Sequence, residues 1–145
     1  MRAVIQKVKS ATLYSEGKKH SSIDNGMLIL ISIHEDDTIA LADKMSQKLL
    51  NLRIFDDENG KTNLNIFDAG GKIMLVSNFT IYGNLKGTNR PDFFHSAKPD
   101  KAEPLYMRVF EKLNEKIPTV TGVFRTHMEI ETRLDGPGTY IVEFE

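Results

Sequence analysis

The hydrophobic pattern of this chain changes period several times, and each change marks an element. Met27-Leu28-Ile29-Leu30-Ile31-Ser32-Ile33 follows the Asn25-Gly26 turn and is the most apolar stretch present. A second continuous run, Ile73-Met74-Leu75-Val76, lies between Gly71 and Gly83. Continuous apolar runs bounded by turn residues are the pattern of strands buried on both faces. Arg2 to Val8 reads as a β-branched strand, and Thr62 to Ile66 alternates as a half-buried one. Ala11–Ser15 and Lys19–Ile23 flank Glu16-Gly17-Lys18, a hairpin signal.

Two segments switch to helical spacing. Ile39, Ala42, Met45, Leu49 and Leu52 recur every three or four residues, with Asp36 or Asp37 placed to cap the start. Ala102, Leu105, Val109, Leu113 and Ile117 do the same between Pro99-Asp100 and Pro118. Val120–Phe124, His127–Leu134 and Thr139–Phe144 then read as strands. Asp135-Gly136-Pro137-Gly138 falls between the last two, either as a hairpin turn or as a rigid turn with Pro137 a candidate for a cis bond. The sum is one α+β domain over residues 1–145, mostly antiparallel, with two main helices packed on the sheet.

Composition narrows the chemistry. The 145 residues contain no cysteine, which excludes disulfides, cysteine-ligated zinc and thiol nucleophiles and suits a cytoplasmic protein. No apolar run approaches the roughly 20 residues of a membrane helix, so no membrane partner is expected. Net charge is −1, but residues 1–19 hold five cations against Glu16 alone. Residues 84–101 hold Lys86, Arg90, Lys98 and Lys101 against Asp92 and Asp100. These patches are either solvated loops or guides for a phosphate backbone. Tyr82, Phe93 and Phe94 interleave with the second patch, the last two within a polar loop from Asn84 to Asp100.

Most enzyme signatures are missing. His20, His34, His95 and His127 are scattered without paired spacing, so no metal set is visible and no cofactor is expected. There is no Gly-x-Ser-x-Gly elbow and no phosphate-binding glycine pattern. What remains is Ser77-Asn78-Phe79-Thr80 at the end of a buried strand. It is either a strand end capped by its own side chains or a set of hydroxyl, amide and backbone donors facing a pocket.

An ordered set of motifs then identifies a resemblance. Met1 to Val8, Arg53-Ile54-Phe55-Asp56-Asp57-Glu58-Asn59-Gly60-Lys61-Thr62-Asn63-Leu64-Asn65, Ser77 to Ile81, Asn89-Arg90-Pro91-Asp92-Phe93, Thr121-Gly122-Val123-Phe124 and Gly136-Pro137-Gly138-Thr139 occur in sequence. Nearly the whole chain resembles the D-aminoacyl-tRNA deacylases. The resemblance implies a barrel-like sheet and a homodimeric editing hydrolase with its active site at the dimer interface. Its substrates would be D-aminoacyl-tRNA and glycyl-tRNA, cleaved at the 3′-terminal adenosine.

The same resemblance assigns roles. Ser77, Asn78, Phe79 and Thr80 match the family's Ser-Gln-Phe-Thr motif and carry the chemistry, with Thr80 a positioning group because no base is identifiable. Gly136, Pro137, Gly138 and Thr139 match its Gly-cisPro motif, which rejects L-amino acids from across the interface. Gln6, Lys7, Tyr82, Lys86, Arg90 and Phe93 are the expected tRNA and adenine contacts. Four positions depart from the family pattern: Asn78 for glutamine, Lys7 for arginine, Leu134 for asparagine and Gly138 for valine. The alternative is a tRNA- or nucleotide-binding module of the same fold without turnover.

Overall fold

A computed structural model describes residues 1–145. Its spine is β1, Arg2–Ser15, a single 14-residue strand spanning both sequence-predicted segments at this end. One edge of β1 pairs antiparallel with β2 (Lys18–Ile23) and β3 (Gly26–Ser32); the other pairs with β8 (Met128–Glu143) along nearly its whole length. Beyond β3 the sheet turns parallel, through β6 (Lys72–Ser77) and β7 (Thr119–Thr121).

The parallel half explains the helices. Parallel neighbours need long crossovers, and α1 (Ile39–Asn51) lies between β3 and β6 while α2 (Pro99–Asn114) lies between β6 and β7. A small ribbon, β4 (Phe55–Asp56) with β5 (Thr62–Leu64), interrupts the first crossover. The α+β expectation therefore holds, with a mixed sheet. That sheet curls until its edges meet: Ser21 Oγ on β2 donates to the Thr121 carbonyl on β7 at 2.9 Å.

Curling gives the sheet two buried faces. Met27, Ile29, Ile31, Ile73 and Leu75 pack with Met45 and Leu49 of α1 and with Leu105, Val109 and Leu113 of α2. The alternate residues Leu28, Met74 and Val76 fill the inside of the curl with Val8, Ala11, Leu13 and Ile23. A strand serving both clusters has no polar positions to offer, hence the unbroken apolar runs.

Two local expectations need correction. Thr38, with Oγ1 accepting from Leu41 N at 3.3 Å, caps α1 in place of Asp36 or Asp37. Asp37 is instead 4% exposed, accepting from the Met1 amino group and from His34 N, both at 2.7 Å. The Asp135–Gly138 hairpin is also absent, because β8 pairs with the same strand, β1, on both sides of these residues. A hairpin would require the chain to reverse, and β1 is long enough to hold both halves of β8 in line.

Candidate active site

The apolar run of β6 ends at Ser77, and the chain at once forms a single 3-10 turn over Phe79–Tyr82. Asn78 makes that turn. Its backbone N–H donates to the Ile31 carbonyl at 2.8 Å, anchoring it to β3. Its Oδ1 accepts from Thr80 N at 3.2 Å and from Thr80 Oγ1 at 2.5 Å. A helical first turn leaves its leading N–H groups without internal partners. Asn78 takes the one on Thr80, leaving the Phe79 N–H as the turn's remaining donor. The Phe79 carbonyl accepts from Ser32 Oγ at 3.4 Å and from Ser96 Oγ at 2.8 Å, so the peptide is held from two sides. Both halves of the sequence-based alternative apply: the strand end is capped by its own side chain, and it also faces a pocket.

That pocket is a cavity of about 780 Å³ with Ser77, Asn78, Phe79 and Thr80 on one wall. Phe93 lies beside them, its ring edge-on to Phe79 at a centroid distance of 5.0 Å. Phe124, Arg125, Thr126 and His127 line the same cavity. Arg125 is the single charged side chain in the lining, no carboxylate lines it, and Arg125 takes part in no ion pair. Its φ of 64° lies in the left-handed region that disfavours side chains with a Cβ. The strand expected over 120–124 ends at Thr121, and neither Arg125 nor His127 is among the site residues the sequence predicts. The signal available was a cation and an imidazole in Arg125-Thr126-His127, directly after Gly122-Val123-Phe124.

The other expected residues lie elsewhere. Between the pairs Gln6–Thr139 and Val8–Leu134, β1 contributes only Lys7 while β8 contributes four residues, Asp135 to Gly138. These four stand out of the ladder as a bulge, with Gly136 and Pro137 exposed, a cis peptide between them, and Gly136 at φ 114°. Lys7 lies buried beneath, its Nζ 3.5 Å from Asp56 and 3.9 Å from Asp135, whose carboxylate Lys9 also reaches at 3.4 Å. A Cβ on Gly138 would sit 3.3 Å from Lys7 Cδ, so the absent side chain is what lets Lys7 fill this space. In the single chain this bulge does not line the Ser77–Thr80 cavity.

Tyr82 also points away from that cavity. It lines a second one with Arg2 and His34, where the Arg2 guanidinium lies 4.8 Å from the Tyr82 ring centre. Burial, reinforced by the charges of Asp37 and Glu143, pushes the Tyr82 phenol above its ordinary pKa. Lys86 and Arg90 are on the exposed loop, away from both cavities.

The family model described as D-Tyr-tRNA(Tyr) deacylase matches residues 4–143. The chain belongs to the D-aminoacyl-tRNA deacylase family. Among curated members of this deacylase family, one from Kosmotoga olearia is 42% identical over 143 residues, covering 99% of this chain and 97% of the relative. One from a Geobacillus species is 44% identical over 144 residues, covering 99% and 95%. A solved structure described as c-Myc DNA Unwinding Element Binding Protein superposes on this deacylase-family chain with a TM-score of 0.94 at 34% identity, covering 100% of this chain and 99% of the other. A second, described as a probable eukaryotic D-amino acid tRNA deacylase, gives 0.83 at 16% identity with 97% of each covered, a likeness of fold.

Proposed function

We propose that this chain hydrolyses the ester joining a D-amino acid, or glycine, to the 3′-terminal adenosine of tRNA, at the Ser77–Thr80 turn. The observation that carries the reading is the cavity itself. Its lining brings together a fixed peptide with a free donor, a lone guanidinium and three aromatic rings. That combination suits a nucleotide: Phe79, Phe93 and Phe124 for the base, and Arg125 for the adjoining phosphate. The polar side chains of Ser77, Thr80 and Ser96 suit the ribose.

In the reaction a water oxygen bonds to the ester carbonyl carbon, and negative charge grows on the carbonyl oxygen. The Phe79 N–H is the donor offered to that oxygen. The bond to the ribose 3′-oxygen then breaks, the 3′-hydroxyl takes a proton, and the free amino acid leaves. The neighbouring 2′-hydroxyl of the terminal ribose is placed to relay that proton, which accounts for the lack of a base beside Thr80. Because aminoacyl esters are already reactive, positioning and one or two donors suffice.

Chirality is assigned to Gly136 and Pro137. Their bulge is exposed and lies apart from its own chain's cavity, so in this reading it enters the cavity of a second copy in a homodimer. Main-chain atoms there hold the α-ammonium and fill the space an L side chain would need, a rejection by contact. We place the enzyme in the cytoplasm, where its tRNA substrates are charged; no helix is long and apolar enough to cross a membrane.

The test is release of D-tyrosine and L-tyrosine from charged tRNA by the purified chain. D-specific turnover supports the reading, and equal rates or no turnover sink it. A nucleic-acid-binding module without turnover is the second reading, favoured by the likeness, at 34% identity, to a protein described as binding a DNA unwinding element. Salt-sensitive tRNA binding with no release of either enantiomer is its signature.

A further inference from the structure

The histidines that look scattered in the sequence are not all scattered in the fold. His34 follows β3 and His95 lies in the long loop before α2, yet their rings stack nearly parallel, 9° apart, with centroids at 5.6 Å. Backbone pairing fixes this approach: Glu35 N donates to the His95 carbonyl at 3.0 Å, and His34 bridges to Ser96. Glu35 Oε1 reaches His95 Nδ1 at 3.3 Å. Each of His34, Glu35 and His95 offers a ligand atom within 4.8 Å of the other two.

The surroundings favour a cation. The three residues line a cavity of about 590 Å³ together with Asp36, Asp37, Glu143 and Glu145. The cations in and beside this lining are already engaged, the Met1 amino group with Asp37. Arg2 is paired with Glu143 and donates to the Ile81 carbonyl, while Lys101 Nζ donates to the backbone oxygen of Glu35 and leaves its carboxylate free. Two imidazole nitrogens and one carboxylate suit a late first-row divalent ion such as Zn²⁺, Co²⁺ or Ni²⁺, and not Mg²⁺ or Ca²⁺, which take oxygen ligands.

We propose that His34, Glu35 and His95 form a binding site for such an ion, one that ties the end of β3 to the loop beside the larger cavity. Bonds of about 2.0–2.2 Å require the ligand atoms to draw together. The half-exposed Glu35 and exposed His95 side chains have room to rotate. His95 is next to Ser96, whose hydroxyl holds the Phe79 carbonyl at 2.8 Å, so an ion here steadies the loop that carries Phe93 and Ser96. Ion binding at these three residues is independent of the deacylase reading.

The experiment is a Co²⁺ titration of the full chain, following visible absorption, with Zn²⁺ competition and Mg²⁺ as control. One ion per chain, displaced by Zn²⁺ and not by Mg²⁺, is expected. His95→Gln and His34→Gln should each weaken binding more than about tenfold. His95 is 62% exposed on its side chain, so its variant keeps the fold, which circular dichroism checks. Zn²⁺ should also slow hydrogen exchange in residues 84–98 of the parent and not of His95→Gln. Absence of saturable binding, undiminished binding in both variants, or equal binding of Mg²⁺ overturns the site.

Discussion

Asn78 holds Thr80 twice through one oxygen, accepting from its amide at 3.2 Å and from its hydroxyl at 2.5 Å. The Thr80 hydroxyl therefore spends its proton inside the turn and has no base to activate it. Thr80→Ala removes one bond, worth about 1 kcal/mol, and leaves the Phe79 N–H in place. Deacylation by Thr80→Ala should fall by about tenfold at most, mainly in kcat. Loss of all single-turnover activity would instead assign Thr80 a covalent role. Asn78→Ala frees both groups at once and should be the more damaging change.

Arg125 separates stability from binding. Its left-handed backbone carries strain of order 1 kcal/mol, which glycine relieves. Arg125→Gly should raise the melting temperature by a few degrees while raising KM for tRNA. The logarithmic salt dependence of tRNA binding should drop by about one unit, the signature of one lost phosphate contact. An unchanged salt slope removes Arg125 from the interface.

Gly138 and Lys7 should behave as a coupled pair. A valine at 138 brings side-chain atoms to within 3.3–3.4 Å of the Lys7 stem, which must shift in a buried site. Overpacking of this kind destabilises by about 1–3 kcal/mol. Shortening the stem in Lys7→Ala removes the closest contact and should lower the cost of Gly138→Val, while Lys7 Cβ and Tyr140 Cε2 stay at 3.4 Å. Urea unfolding of the four proteins in a double-mutant cycle measures the coupling, and strict additivity would show that the two do not touch in solution.

The helices are joined by Arg108, whose Nε and Nη2 donate to the two oxygens of Asp43 at 2.6 and 3.0 Å. The hydrogen bond from Arg108 holds the Asp43 carboxyl below its ordinary value of 3.8. A depressed carboxylate contributes stability that is present above its unfolded pKa and is lost as pH falls through the folded one. The stability difference between the parent and Asp43→Asn should thus be constant above about pH 5 and shrink progressively below pH 4. Chemical denaturation across that range tests it, and a difference that grows on acidification contradicts the pairing.

Local patterning carried a large part of the structure. Helical spacing in 39–52 and 102–117 gave both helices, because one face of each meets the sheet. The unbroken runs at 27–33 and 73–76 gave the two strands buried on both sides. The ordered motifs marked the family. Parallel pairing of β3, β6 and β7 was not legible, since register between strands far apart in sequence leaves no local trace. Neither was the cap of α1, where Asp37 is drawn into the core by the Met1 amino group and Thr38 takes the end.

The sequence by itself determined that Ser77-Asn78-Phe79-Thr80 ends a buried strand with polar groups to spare, and that Gly136-Pro137 breaks a strand pattern. Tertiary structure alone decided what each does. A long β1 keeps both halves of β8 in line, so Asp135–Gly138 bulges outward over Lys7 and does not turn back. The curl of the sheet brings Arg125 and His127 into the same cavity lining as the Ser77–Thr80 turn, nearly fifty residues away in the chain. Such distances are bridged by packing, which depends on every element at once and on no single stretch of residues.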